Sequence, residues 1–95
     1  MSEKDAYVEK MKAKLDEWNA EIDKLQAKAK QAEADAEVQY KEEISDLKKK
    51  RDEASAKLDE IKAASESAWQ ELKGGLDSAW DSMSQSFKSA ASKFK

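Results

Sequence analysis

The sequence contains no cysteine, no proline and no histidine, and its two glycines are adjacent, at Gly74 and Gly75. Each absence excludes something. Without cysteine there is no disulfide framework, thiolate metal site or redox thiol. Without histidine the commonest general base and metal ligand is missing. Without proline, and with glycine confined to one place, a turn-rich β fold has no punctuation. Long apolar runs are also lacking, so no segment is expected to span a bilayer. The opening residues Met1-Ser2-Glu3-Lys4-Asp5 lack the apolar stretch of a secretory signal, which leaves the cytoplasm as the expected location.

What remains is charged and helix-forming. Of 95 residues, 41 % are charged and 39 % hydrophobic, with 18 basic against 21 acidic side chains and a net charge of −3. Alanine, glutamate and lysine with scattered leucine and isoleucine make the composition of a long helix or coiled coil. The net negative charge gives no support to nucleic-acid binding, which rests on phosphate neutralisation.

The large apolar residues fall in a heptad rhythm. Val8, Met11, Leu15, Trp18, Ile22 and Leu25 are spaced alternately by three and four, and Ala29, Ala32 and Ala36 continue the series. This is the seam of a left-handed coiled coil. After Ala36 the rhythm slips by one residue through Tyr40 and resumes at Ile44 and Leu47, a skip that locally unwinds a supercoil. The second seam continues through Ala54, Leu58 and Ile61 but carries Arg51 and Ser65 at core positions. Polar residues there lower stability and fix register. The alanines between 27 and 37 suit either simple helix propensity or a close helix crossing. No Gly, Pro, Asn or Ser marks a turn there, so the pattern predicts one helix from about Glu3 to Lys73, roughly 100 Å long.

The C-terminal third differs. It holds eight serines, and its charges cancel. Ser67-Ala68-Trp69 recurs eleven residues later as Ser78-Ala79-Trp80, and Leu72, Met83 and Phe94 keep the same interval, as do Leu76 and Phe87. An eleven-residue repeat gives an almost straight apolar stripe. Gly74-Gly75 interrupts it and predicts a hinge. The expected architecture is therefore all-α: a coiled-coil helix over 1–73, then an amphipathic helix over 74–95.

Catalytic chemistry finds little footing. Glu17/Glu21, Glu33/Glu37 and Glu42/Asp46 are carboxylate pairs one helical turn apart, but they lie on charged faces without a nucleophile–base pair. Gly74-Gly75 lacks the spacing of a phosphate loop. Lys48-Lys49-Lys50-Arg51 is flanked by acids that pair with it along the helix. The reading is of a non-enzyme with no cofactor, no metal and no small-molecule substrate. Two surfaces carry the expectation instead. One is an oligomer seam of Val8, Met11, Leu15, Trp18, Ile22, Leu25, Ile44, Leu47, Leu58 and Ile61. The other is a face of Trp69, Leu72, Leu76, Trp80, Met83, Phe87 and Phe94. Opposite serines and few charges, that second face suits either burial in protein or insertion at a membrane surface.

Tyr7-Val8-Glu9-Lys10-Met11, Leu15 to Ile22, Ala32-Glu33-Ala34-Asp35-Ala36, Lys50 to Ala54 and the repeated Ala-Trp of the tail resemble a family of small bacterial coiled-coil proteins. Its members are often labelled as stress-response proteins without an assigned activity. The resemblance implies a soluble, self-associating helical protein, and it brings no catalytic or ligand residue with it. A one-sided apolar stripe cannot bury itself on an isolated helix. The sequence thus predicts a homo-oligomeric structural or interaction protein, with a peripheral membrane binder acting through the C-terminal helix as the alternative.

Overall fold

The computed structural model describes residues 2–93. These residues form three helices, α1 (Glu3–Gln31), α2 (Ala34–Ala63) and α3 (Trp69–Lys93), with no strand among them. Each begins with recognisable local chemistry. The Ser2 hydroxyl accepts from the Asp5 amide at 3.2 Å and caps α1, whose first turn carries Glu3 and Asp5 and whose last carries Lys28 and Lys30. These charges complement the helix dipole. Asp35 and Glu37 open α2 and Lys62 closes it. Before α3, the Ser65 hydroxyl accepts from the Ala68 amide at 3.3 Å, and the Ser65 carbonyl accepts from the Ala68 and Trp69 amides. Ser65, one of the two polar residues at core positions in the second seam, is thus a turn-forming cap.

The expected single helix over 3–73 is replaced by an antiparallel pair. Ala32 and Glu33 adopt extended backbone (φ −81°, ψ 156° and φ −65°, ψ 157°), and the Ala32 amide returns to the Ala29 carbonyl. No positive φ is needed among the described residues, so the turn works without glycine. Reversal lets the apolar stripes of α1 and α2 cover each other, a gain that outweighs a short stretch of helix propensity. The one-residue skip between Ala36 and Ile44 is the trace of this reversal, because a new helix starts with its own phase.

Gly74-Gly75 is likewise not where the chain bends. Both glycines lie inside α3, and the bend falls at residues 64–68. The boundary between 73 and 74 therefore cuts a continuous helix. Nothing lies within 4 Å of a side chain built at either glycine, so they face open space rather than permitting a close approach.

The helices run up, down and up in a bundle measuring 50 × 19 × 18 Å. Lys4 Nζ donates to the Ala64 carbonyl at 2.7 Å, joining the start of α1 to the end of α2. Arg51, the other polar core-position residue, is half-buried and donates through Nη1 to Asn19 Oδ1 at 3.1 Å, across the same pair. Lys50 bonds Ser86 between α2 and α3.

Tyr40, Leu47, Ala54 and Ile61 recur every seven residues in the core of α2, with Ile44 and Leu58 beside them. In α3 the buried residues are Trp69, Leu76, Met83 and Ala90, also seven apart. Seven, rather than the eleven of the sequence repeat, sets the buried face of α3. Helices packed nearly parallel in a bundle meet along a heptad stripe.

Candidate functional site

The aromatic seam between α1 and α3 is the most organised cluster of side chains. Trp18 lies between Trp80 and Phe87: its ring stacks on Phe87 at 4.0 Å and meets Trp80 at 5.2 Å, tilted by 55°. Tyr7 packs on Trp69 at 5.7 Å. Two cations cover the outside, Lys14 Nζ over Trp80 at 5.2 Å and Lys73 Nζ over Tyr7 at 5.4 Å. Such contacts contribute about 0.5–1 kcal/mol each at exposed sites. Tyr7 Oη donates to Asp77 Oδ1 at 2.7 Å. Burial, with the Asp77 hydrogen bond and charge adding to it, pushes the Tyr7 phenol well above its ordinary range.

The seam has a specific origin. α3 packs closely on α2, whereas α1 and α3 meet chiefly through long side chains. Rings fill the wider space that alanines could not. Trp18 leaves one cost unmet: its indole Nε1–H is buried with no hydrogen-bond partner among the described residues.

The residues expected to form an oligomer seam line the interior of this chain. Met11, Ile22, Ile44, Leu47, Leu58 and Ile61 are buried, and Val8, Leu15, Trp18 and Leu25 are half-buried. Of the C-terminal face, Trp69, Leu76 and Met83 are buried, and Leu72, Trp80 and Phe87 are half-buried. Phe94 lies outside the described residues. The apolar stripes form two clusters. One joins Met11, Ala54, Leu58, Ile61, Trp69 and Leu76, and the other joins Ile22, Ala29, Tyr40, Ile44 and Leu47 near the α1–α2 turn.

The polar candidates do not converge. Glu37 pairs with Lys41 at 3.2 Å and Asp46 with Lys50 at 3.6 Å, while Glu21 pairs with Lys24 at 3.4 Å. Glu17, Glu33 and Glu42 are exposed. Among the described residues no group of three or more carboxylates could hold a metal ion. The basic run radiates around α2: Lys50 and Arg51 turn to neighbouring helices, while Lys49 is exposed. Among the described residues no helix is long and apolar enough to cross a membrane.

Sequence reasoning missed the Tyr7–Asp77 bond and the two cation–aromatic contacts. They join residues 70 and about as many positions apart, which no local spacing announces. No protein-family model, curated protein or solved structure matches this chain.

Proposed function

We propose that the chain is a non-enzymatic structural and interaction protein that self-associates by exchanging helices between copies. The observation that carries this reading is the α1–α2 turn, made of Ala32 and Glu33 between Gln31 and Ala34. Both residues are strong helix formers. If the turn straightens, α1 and α2 become one helix, and two such chains restore each other's core contacts. The heptad seam then serves between copies as it does within one. The hairpin and the straight helix bury the same stripes, so protein concentration decides between them.

Glu33→Pro tests this. The turn's φ of −65° suits proline, and the extended backbone of Ala32 suits the residue before it. The same proline inside a continuous helix costs about 3 kcal/mol. Sedimentation velocity over a concentration series is expected to show monomer and dimer for the natural chain and monomer alone for Glu33→Pro. A natural chain that stays monomeric throughout removes the proposal.

A second reading has its own observation. α3 carries an aromatic face against α1 and a serine-rich outer face, and it leaves the α1–α2 hairpin at residues 64–68. Swinging out there would bare Trp80 and Phe87 for insertion at a lipid surface. Flotation with highly curved vesicles, together with a blue shift of tryptophan emission, is the expected signature. Absence of both leaves helix exchange as the sole reading.

A further inference from the structure

The groove between α1 and α2 is in two parts, open depressions of about 590 and about 370 Å³ that no residue of α3 lines, with the Arg51–Asn19 hydrogen bond between them. The first lies near the α1–α2 turn and the second toward the other end. Together they span positions 37–62 of α2, roughly 38 Å at 1.5 Å per residue.

The two halves differ in charge. Lys30, Lys41, Lys48 and Lys49 line the first against Glu37 and Asp52, which leaves it at +2 on a chain of net −3. Lys12 and Lys62 line the second against Asp16 and Asp59, in balance. Among the described residues Lys30, Lys48 and Lys49 form no ion pair, whereas Lys41 is paired with Glu37. The floor of the basic half is Ala29 and Ile44, and a small residue there lets a helix backbone approach. Among the described residues Val38, at 58 % exposure, is the large hydrophobic side chain left outside the core. It stands on the same side of α2 as Lys41, Ser45 and Lys49, at spacings of three, seven and eleven.

We infer that this groove is the docking site for a fourth helix, an amphipathic one from a partner protein with acidic residues flanking its apolar stripe. Length and openness argue for a helix: a small ligand needs enclosure on most sides, whereas a groove between two helices matches the apolar face of a third. Charge argues for acid, because unpaired lysines along one half attract carboxylates and fix the direction in which the partner lies. The exchange proposed above leaves the groove in place, since α1 and α2 still pack together.

The test uses the full chain and two fluorescein-labelled synthetic peptides of about 25 residues, long enough for the groove. Both have a leucine–alanine stripe. One carries glutamates beside the stripe in its N-terminal half, and its twin carries lysines there. Anisotropy titrations are expected to show the glutamate peptide binding and the twin not binding. Lys48→Glu/Lys49→Glu should weaken binding about tenfold or more, while Lys12→Glu/Lys62→Glu changes it less than threefold. Circular dichroism melts check the fold. Should the first variant melt early, Lys30→Gln/Lys41→Gln gives the same readout on exposed side chains. Equal binding of the two peptides, or equal loss from both double variants, overturns the inference. Tighter binding of a single-stranded oligonucleotide than of the glutamate peptide also overturns it, in favour of a phosphate surface.

Discussion

Trp18 packs against both Trp80 and Phe87 of α3, yet it leaves a buried N–H without a partner among the described residues. These two facts act in opposite directions on substitution. Trp18→Ala removes the ring that stacks on Phe87 and is expected to destabilise the bundle by about 3 kcal/mol. Trp18→Phe keeps an aromatic ring and removes the orphaned donor, so its cost should be under about half of that. Urea denaturation of both variants measures the difference. A loss for Phe as large as that for Ala would mean that the indole N–H contributes through a partner of its own.

Tyr7 gives a pH dependence with a definite sign. Its phenol holds its proton more firmly in the folded chain than in the unfolded one, through burial and the bond to Asp77. The folded state then keeps a proton that the unfolded state releases above about pH 10. The contribution to stability is complete below that value and is lost as pH rises through the folded one. Urea midpoints at about pH 8 and about pH 11 should fall more for the natural chain than for Tyr7→Phe. Equal falls would remove Tyr7 from the alkaline response.

At the scale of the element, α3 shows what neighbouring helices impose on a segment. Its sequence repeats every eleven residues, its buried face every seven, and it runs unbroken through two adjacent glycines. Glycine in a helix interior costs about 0.8–1 kcal/mol relative to alanine. Neither glycine here has negative work to do, since neither has positive φ or a close neighbour. Gly74→Ala with Gly75→Ala is therefore expected to stabilise the protein by about 1.5–2 kcal/mol. A rise in the urea midpoint checks it, and a fall would show that the pair serves as a flexible joint.

Two elements were legible in outline and wrong in extent. The heptad residues from Val8 to Leu25 do form the inward face of α1, and Ile44 to Ile61 that of α2. The turn between them was hidden because extended φ/ψ at Ala32 and Glu33 is open to any residue, so no punctuating residue was required. Only the one-residue skip after Ala36 recorded it. The second turn was more visible in hindsight, since Ser65 and Ser67 flank the start of α3, and serine at a polar heptad position has a ready role as a cap.

At the scale of the molecule, each helix depends on the other two. Trp69, Leu76 and Met83 of α3 close the core that the α1–α2 pair leaves open on one side. A chain ending at Ala64 should lose its cooperative monomeric transition. It should either unfold or associate, because a hairpin with one uncovered apolar face is unstable alone. Thermal melts at two concentrations distinguish these outcomes, and a concentration-independent, cooperative melt would show that α3 is dispensable.

The sequence by itself determined that the chain is helical, which face of each segment is apolar, and where the rings lie. Those properties follow from local propensity and from periodicity, and both act over a few turns. Only the tertiary structure decided what covers each face. A heptad stripe is satisfied equally by a second chain or by the same chain folded back, since burial of apolar surface has no memory of connectivity. The reversal at Ala32-Glu33 and the bend at 64–68 settle that choice within this bundle. They bring Tyr7 to Asp77 and Trp18 to Phe87, and they leave a basic groove between α1 and α2 that no residue of α3 lines.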